Sequence, residues 1–265
     1  MELGLTGKVV LLTGGSGGIG RPLARSFGRE GARVALTYLR RADAAKEVAA
    51  SIEESGGEAL PVQLDLTDRQ SIDSAVGQVV DRWGAIDILV VNASATGGPN
   101  PKPVGFEEIS ADTWLPLLRS EVEGAFHTVQ SVLPTMKSGG WGRIVFMSAS
   151  IVHRGRKGEE AYTASKAALH GLSRTLATEL FTDNIFSNVV APGPTVTEGL
   201  LGKLPDSLKE RIADVTPEQA KRLLNEGMPH LRFSTVDDVN NTVLFLASAA
   251  NGNITGNVIN VDGGH

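Results

Sequence analysis

The chain alternates short apolar runs with longer amphipathic segments, and this alternation limits the possible folds more than any other feature. Seven near-continuous runs rich in Val, Ile and Leu are predicted to be strands, as expected of strands buried on both faces: Lys8–Leu12, Arg33–Thr37, Ala59–Leu64, Asp87–Val91, Gly142–Met147, Ile185–Val190 and Asn257–Val261. Segments of helical length lie between them, among them Asp43–Ser55, Asp68–Trp83, Ala161–Leu180 and Val236–Ala247. Strand followed by helix, repeated, predicts an α/β fold with a seven-stranded, mainly parallel sheet covered by helices on both faces.

One late segment departs from this alternation. Residues 197–232 contain no predicted strand and are helix-prone and rich in charge. Such a segment is typical of a lid or of a flap that contacts a partner. With no linker, repeat or low-complexity tract in view, we expect residues 1–265 to form one doubly wound domain that carries this helical lid.

Composition excludes several classes of function. The net charge of −5 argues against a nucleic-acid-binding surface, and the absence of cysteine removes disulfides, thiolate metal sites and cysteine nucleophiles. The five histidines lack the spacing of a zinc site, so no metal is expected. No apolar run approaches the ~18 residues of a membrane span, and the apolar run at the start is too short for a signal peptide. We therefore expect a soluble cytoplasmic protein with no membrane or nucleic-acid partner.

The first strand leads into a glycine-rich turn, Thr13-Gly-Gly-Ser-Gly-Gly-Ile-Gly20, and then into a helical pattern. A strand, a glycine turn and a helix N-terminus together present unpaired N–H groups and partial positive charge to a pyrophosphate. Glycine-rich turns are also found for structural reasons alone, but this one directly follows the first strand. The sequence therefore predicts a dinucleotide site that includes Gly14, Ser16, Gly17, Gly18, Ile19 and Gly20.

The end of the second strand indicates which dinucleotide is bound. Folds that prefer NAD place an acidic residue there, whereas this strand is followed by Tyr38, with Arg40 and Arg41 close behind and no acid before Asp43. Arginines can hold a 2′-phosphate through charge-assisted hydrogen bonds. The alternative is that the two arginines begin a helix on a solvated face. We favour NADP(H) as the cofactor.

Further motifs lie in register along nearly the whole chain: Asp65-Leu66 after the third strand, Asn92-Ala93-Ser94 after the fourth, Tyr162-Thr-Ala-Ser-Lys166, Ala191-Pro-Gly-x-x-x-Thr197 and the closing segment from Thr255 to Gly264. With these motifs the sequence resembles the short-chain dehydrogenase/reductase family, in particular its 3-oxoacyl-carrier-protein reductases. The resemblance implies a Rossmann domain that is a homotetramer or homodimer. It also implies cofactor contacts from Asp65, Leu66, Asn92, Ala93, Ser94, Pro192, Gly193, Thr195 and Thr197.

Tyr162 and Lys166 are the expected catalytic pair. Residues at positions i and i+4 share a helix face, with Cβ atoms ~5–6 Å apart. A phenol with a pKa of ~10 needs a neighbouring cation to exchange protons near neutral pH. The resemblance implies that Lys166 also holds the nicotinamide ribose, and that Tyr162 gives or takes the proton of a carbonyl or alcohol oxygen while hydride moves to or from the nicotinamide.

Two residues of the family's usual tetrad are replaced. The carbonyl-binding serine of the family falls on Ala149, between Ser148 and Ser150. Neighbours on a strand point to opposite faces, so Ser150 can substitute only through a bulge or a one-residue shift. In Ser120-Glu-Val122, Glu121 stands where the family has an asparagine, and its carboxylate would pair with Lys166 and raise the pKa of Tyr162. A one-residue error in either alignment is the alternative. Ser94 replaces a glycine, a milder difference.

These departures leave three hypotheses open. The first is an NADP(H)-dependent carbonyl reductase or alcohol dehydrogenase in which Ser150 or a substrate group replaces the missing hydroxyl. The second is different chemistry on the same scaffold, such as alkene or imine reduction or a non-redox elimination, with Glu121 or Tyr162 as acid–base. The third is a non-catalytic NADP(H)-binding protein, which the retention of Tyr162 and Lys166 disfavours.

The loop before Tyr162 bears on the substrate. It carries His153, Arg154, Arg156 and Lys157, and the resemblance places it at the substrate mouth beside Ala149 and Ser150. We hypothesise an anionic substrate or a carrier-tethered acyl group, contacted by Arg154, although a solvated run of charge is an equally good interpretation. A small-molecule carbonyl compound is the wider expectation.

Overall fold

The computed structural model describes residues 2–94, 104–202, 204–212, 215–228 and 231–264, and it contains a seven-stranded sheet. The strands are β1 (Val9–Leu12), β2 (Arg33–Tyr38), β3 (Glu58–Gln63), β4 (Ile88–Val91), β5 (Gly142–Met147), β6 (Ile185–Pro192) and β7 (Val258–Val261). Their order is β3-β2-β1-β4-β5-β6-β7, and all six ladders are parallel. The predicted α/β class is confirmed, and the sheet is parallel throughout instead of mainly so.

Ten α-helices connect and flank the strands in the described part of the chain. They are α1 (Gly20–Arg29), α2 (Ala42–Glu53), α3 (Arg69–Trp83), α4 (Ala111–Leu118), α5 (Gly124–Gly139), α6 (Glu160–Leu180), α7 (Glu198–Leu201), α8 (Asp206–Ile212), α9 (Pro217–Gly227) and α10 (Val236–Leu246). A π-helical turn, Arg119–Glu123, joins α4 to α5. No helix in the described ranges is both long and apolar enough to span a bilayer.

Two apolar layers hold the helices against the sheet. One layer buries side chains of α1, α2 and α10, including Phe27 and Val243. The other buries side chains of α3, α5 and α6, including Ile72, Val132 and Leu176. Since successive residues of a strand face opposite sides, β1 contributes Val10 and Leu12 to the first layer and Val9 and Leu11 to the second. The sheet is therefore covered on both faces, as a doubly wound fold requires.

The segment between β6 and α10 has an apolar cluster of its own. We call residues 197–232 the helical insertion; it carries α7, α8 and α9. Leu204, Ile212, Ala220 and Leu224 are buried against one another and against neighbouring apolar residues of this region. The leucines of this segment therefore pack mainly with each other, which explains their spacing without any contact to a ligand.

Candidate active site

Every loop expected to carry function follows the carboxyl end of a strand. In a parallel sheet these ends share one edge, so the loops after β1, β4, β5 and β6 meet there. The glycine turn follows β1, Asn92 follows β4, Ala149 and Ser150 follow β5, and the segment from Gly193 to Thr197 follows β6. The sheet order brings β1, β4, β5 and β6 side by side, which places these loops in one row.

The backbone of the glycine turn leaves no room for a side chain at Gly14 or at Gly20. Gly14 has a φ of +68°, a conformation that residues with a Cβ rarely adopt, and a Cβ there would lie 2.8 Å from Ala93 Cα. A Cβ on Gly20 would overlap the carbonyl oxygen of Gly14. The Thr37 hydroxyl accepts a hydrogen bond from Gly14 N at 3.1 Å. The glycines thus allow β1, β2 and the loop after β4 to approach closely.

Thr13 and Asn92 fix this turn to the adjoining strand end. The Thr13 hydroxyl accepts hydrogen bonds from Asn92 N at 2.9 Å and Ala93 N at 3.0 Å. The Asn92 side-chain amide donates to Thr13 O at 3.0 Å and to Gly14 O at 3.3 Å. Asn92 was expected to contact the cofactor, but its amide is used to hold the turn. The roles of Thr13 and Thr37 were missed, although Thr13 lies within the motif itself.

The N-terminus of α1 suits a negatively charged group. Ile19 is the N-cap residue of α1, and no side chain caps this helix end. No acidic residue lies in the first turn. Its first N–H groups therefore point out of the helix with their partial positive charge. Arg41 Nη2 donates to Ser16 O at 3.0 Å, which brings its guanidinium beside the glycine turn. Arg40 is exposed, and Tyr38 is half-buried at the end of β2.

These residues fit a phosphorylated dinucleotide. The uncapped helix start and the glycine turn supply N–H groups for a pyrophosphate. At the end of β2, Arg41 supplies a cation where an NAD-type site would have a carboxylate. The donor set is therefore suited to NADP(H).

The other residues expected near the cofactor lie at the same edge. The Asp65 carboxylate accepts hydrogen bonds from Thr67 N and Thr67 Oγ1, so it also shapes the loop after β3. Leu66 follows Asp65, and its backbone packs closely against Gly124. A Cβ on Gly124 would lie 2.6 Å from Leu66 O. Ser94 ends the first described range.

The loop after β6 connects the helical insertion to the glycine turn. Gly193 N donates to Val261 O, and the Thr195 hydroxyl donates to Gly193 O. Thr197 caps α7 and lies beside Gly18, where a Cβ would come within 3.3 Å of Thr197 Cβ. An ion pair between Arg21 and Glu198, at 3.8 Å, joins α1 to α7. This pair was not predicted from the sequence.

Lys166 is held rigidly at the end of β5. Its Nζ donates to Met147 O at 3.0 Å and lies 2.6 Å from Glu121 Oε2, and both charged residues are only 3% exposed. The same Nζ lies 5.7 Å from the centre of the Tyr162 ring. The i, i+4 spacing on α6 therefore brings a buried ammonium close to a half-buried phenol. Met147 contributes a backbone oxygen, which no side-chain motif could reveal.

Glu121 reaches Lys166 from a π-helical turn. Arg119–Glu123 interrupts the helical path between α4 and α5, and Ser120 and Glu121 are its buried residues. Single π-turns inside helices of this kind are frequently found at functional sites. Sequence analysis expected the ion pair but not the π-turn that aims it.

Comparison with known proteins decides the family. A family model described as short chain dehydrogenase matches residues 8–205. The chain belongs to the short-chain dehydrogenase family. It is 35% identical to a 3-oxoacyl-(acyl-carrier-protein) reductase of Aquifex aeolicus, over 100% of this chain and 99% of that protein. It is 34% identical to a sorbitol dehydrogenase of Cereibacter sphaeroides, over 98% of each chain.

A solved structure supports the same assignment. The L-sorbose reductase of Gluconobacter frateurii, in complex with NADPH and L-sorbose, is 30% identical to this chain. It superposes with a TM-score of 0.85 over 99% of this chain and 98% of that one. The resemblance inferred from the motifs is therefore confirmed at the level of family and fold.

In this short-chain dehydrogenase, the surroundings of Tyr162 oppose ionisation of its phenol. Burial raises the pKa of Tyr162 to about 12, the carboxylates of Glu121 and Glu159 act in the same direction, and only Arg156 opposes them. Glu159 was not singled out by sequence analysis, although it lies three residues before Tyr162. At neutral pH the phenol therefore keeps its proton in this structure.

Ser148, Ala149 and Ser150 follow one another after β5. Ala149 falls where the resemblance to the family implies a serine, so its side chain offers no hydroxyl there. Ala149 is extended and half-buried, and Ser150 is buried at the start of a 3-10 turn. Ser148 Oγ lies 3.2 Å from Lys166 O and 2.8 Å from His170 Nε2, so its polar contacts are with α6. Burial lowers the pKa of His170, with the charges of His153 and Arg174 adding to the effect. Of the two flanking serines, Ser150 is the one not bonded to α6.

The basic loop before α6 is less positive than its sequence implies. Arg156 Nη2 lies 2.5 Å from Glu159 Oε1, so this arginine already has an anionic partner. Arg154 and Lys157 are exposed. The excess positive charge available to a substrate in this loop is therefore smaller than four basic residues would give.

Proposed function

We propose that this protein is an NADP(H)-dependent oxidoreductase that interconverts a carbonyl compound and its alcohol. The observation that carries the proposal is the placement of Lys166. Its ammonium is fixed by Met147 O and lies 5.7 Å from the Tyr162 ring, on the sheet edge that also carries the glycine turn. Acid–base group, cation and dinucleotide cradle are thus collected at one place.

The glycine turn, the start of α1 and Arg41 would hold the cofactor, and Lys166 would hold its nicotinamide ribose. When bound, NADP(H) supplies or accepts the hydride. The N–H groups at the end of the glycine turn, from Gly18 to Gly20, would face the pyrophosphate, while Arg40 and Arg41 would provide cations for the 2′-phosphate. The complex of the related L-sorbose reductase with NADPH supports this choice.

Tyr162 would act on the substrate oxygen. A phenol with a pKa near 12 is fully protonated at neutral pH, so it is ready to donate a proton to a carbonyl oxygen that is being reduced. Alcohol oxidation requires the tyrosinate as base, and this form is scarce until the pH is high. Ser150, or a group on the substrate itself, would replace the hydrogen bond that Ala149 cannot donate.

A second candidate follows from the same two departures. The buried carboxylate of Glu121 and the missing hydroxyl at Ala149 would also suit a substrate other than a simple ketone. Reduction of a conjugated alkene or an imine, or a non-redox elimination, would use Tyr162 or Glu121 as the acid–base. We rank these below carbonyl reduction because Tyr162 and Lys166 keep their expected relation on α6.

The relatives and the surface suggest the substrate class and the assembly. A relative named as a carrier-protein-linked reductase and a solved sugar reductase point to a carrier-tethered or small carbonyl substrate near Arg154.

We further propose that the helical insertion is a lid, since Thr197 and Glu198 bring it against the glycine turn. The protein would assemble as a homodimer or homotetramer.

A single hydroxyl deletion tests the proposal. Tyr162→Phe removes the acid–base group, so we expect the turnover number for NADPH-dependent reduction of the best carbonyl in a panel to fall about 10²- to 10⁴-fold. The measurement is the loss of reduced-nicotinamide absorbance, with NADPH binding followed separately by fluorescence and expected to persist. Thr175→Val, a hydroxyl loss on the exposed side of the same helix, is the matched control. Unchanged turnover in Tyr162→Phe would refute the assignment of Tyr162.

A further inference from the structure

Glu121 forms a buried ion pair with Lys166. The carboxylate lies 2.6 Å from Lys166 Nζ, while Met147 O accepts a second proton of the same ammonium. Two of the three N–H bonds of Lys166 are thus directed at protein acceptors. Both residues are buried, so their mutual attraction is only weakly screened.

The charges around Tyr162 show how this ion pair affects ionisation of the phenol. Glu121 and Lys166 together are neutral, and the other groups facing the phenol are Glu159, on the approach to α6, and its partner Arg156, which is largely exposed. Ionising Tyr162 would therefore place a net negative charge in a buried site. With a neutral side chain at position 121, the same ionisation would pair tyrosinate with the Lys166 ammonium and leave no net charge.

We propose that Glu121 is a positioning residue that holds Lys166 as its own counterion and thereby sets the pH range over which the site exchanges protons with its substrate. The inference rests on the proposed function in one respect, that Tyr162 is the group exchanging the proton. It assigns to the π-turn Arg119–Glu123 a purpose, which is to aim a carboxylate at the catalytic lysine.

Replacing Glu121 should shift the pH at which kcat/KM bends. It should not change the balance between reduction and oxidation. At any fixed pH the ratio of kcat/KM for reduction and oxidation is set by the reaction equilibrium, which no residue can alter. The bend in both profiles, in contrast, follows the ionisation of the acid–base group. In the wild-type protein, kcat/KM for oxidation should climb about tenfold per pH unit without a bend up to about pH 11, while that for reduction stays level.

The kinetic test replaces the carboxylate with neutral side chains. In Glu121→Gln and Glu121→Asn, the bend should move down by about 1 to 2 pH units, the effect of one charge a few ångströms away in a partly buried site. Glu121→Asp keeps the charge, so its bend should lie closer to that of the wild-type protein than the bend of Glu121→Asn does. Glu123→Gln is the matched control, because Glu123 lies in the same π-turn but pairs only weakly with His127 at the surface. Superimposable profiles for Glu121→Gln and Glu123→Gln would overturn the inference.

A second measurement needs neither substrate nor cofactor. The chain has only two tyrosines, Tyr38 and Tyr162, so tyrosinate absorbance can be assigned by subtracting the spectrum of Tyr162→Phe. In rapid pH jumps to about pH 10.5, Tyr162 should remain largely protonated in the wild-type protein and ionise in Glu121→Gln. Circular dichroism verifies that each variant is folded, and Glu121→Asn replaces Glu121→Gln if the latter is not.

The outcomes separate this inference from the proposed function. A lower ionisation pH of Tyr162 in Glu121→Gln, with no turnover on any carbonyl, would support the inference and reject carbonyl chemistry. Turnover that depends on Tyr162, with the same ionisation behaviour in all variants, would support the function and reject the inference.

Discussion

Under the proposed function, three residues near Tyr162 and Lys166 matter most. Ala149 cannot donate a hydrogen bond through its side chain, Ser150 is buried at the start of the next turn, and Glu121 pairs with Lys166. In the proposed reaction they would affect, in turn, the polarisation of the carbonyl, its replacement donor and the availability of the proton.

A pair of substitutions at neighbouring positions identifies the hydrogen-bond donor. If Ser150 replaces the missing hydroxyl, Ser150→Ala should lower kcat for carbonyl reduction about 10²- to 10³-fold, the usual cost of losing one such donor. Ala149→Ser should then add little, because the donor position is already filled.

If the donor position is vacant, the same pair gives the opposite result. Ala149→Ser should raise kcat, and Ser150→Ala should leave it nearly unchanged. Steady-state kinetics at saturating NADPH distinguish the two cases. Ser55→Ala, on an exposed residue after α2, controls for the loss of a hydroxyl elsewhere. No effect from either change would mean that neither position donates, and would favour the second candidate chemistry.

Among the elements, the glycine turn is the one whose shape depends most on residue size. Gly20→Ala should destabilise the protein by about 1–3 kcal/mol or more, because the new methyl group overlaps the carbonyl oxygen of Gly14. Urea-induced unfolding measures the change, and NADPH affinity should fall with it. Gly77→Ala, in the middle of α3 with open space around it, should instead stabilise by about 0.5–1 kcal/mol. Equal effects of the two substitutions would contradict this account.

Sequence periodicity located the elements well for a physical reason. Strands buried on both faces must be apolar throughout, so each predicted strand lies within two residues of the observed one, and Gly142–Met147 matches at both ends. The helices beside them bury one face only, so their apolar residues recur at helical spacing, as Val239, Val243 and Leu246 of α10 do.

Features built from backbone atoms could not be predicted in this way. The carbonyl of Met147 that holds Lys166 carries no residue-specific signal, and neither does the π-turn at Glu121. Asn92 shows the converse: its place in the motif was recognised, but the use of its amide on the carbonyls of the glycine turn depends on how β1 and β4 pair.

At the scale of the whole molecule, one helix surface bears on the proposed assembly. Ala164, Ala168 and Gly171 form a stripe of small, exposed residues along α6, and large apolar side chains are exposed at Phe106, Phe126 and Phe181. Small residues allow another helix to approach closely, and exposed apolar groups favour contact. These features support the proposed homodimer or homotetramer.

Light scattering tests the assembly directly. We expect a mass two or four times the 27.9 kDa of the chain. Ala168→Arg, which places a long charged side chain on the stripe, should reduce that mass, whereas Ser74→Arg on the exposed surface of α3 should not. A wild-type protein that runs as a monomer at micromolar concentration would rule out the proposed assembly.

The supports of the glycine turn and of the catalytic lysine are built from separate sets of bonds. Thr13, Thr37 and Asn92 secure the first, and Met147 and Glu121 secure the second. Under the proposed function, mutations at positions 149 and 150 would therefore change the reaction and leave the bonds of the glycine turn in place. Laboratory evolution has the same freedom, and libraries at these two positions would explore new catalysis on an intact dinucleotide scaffold.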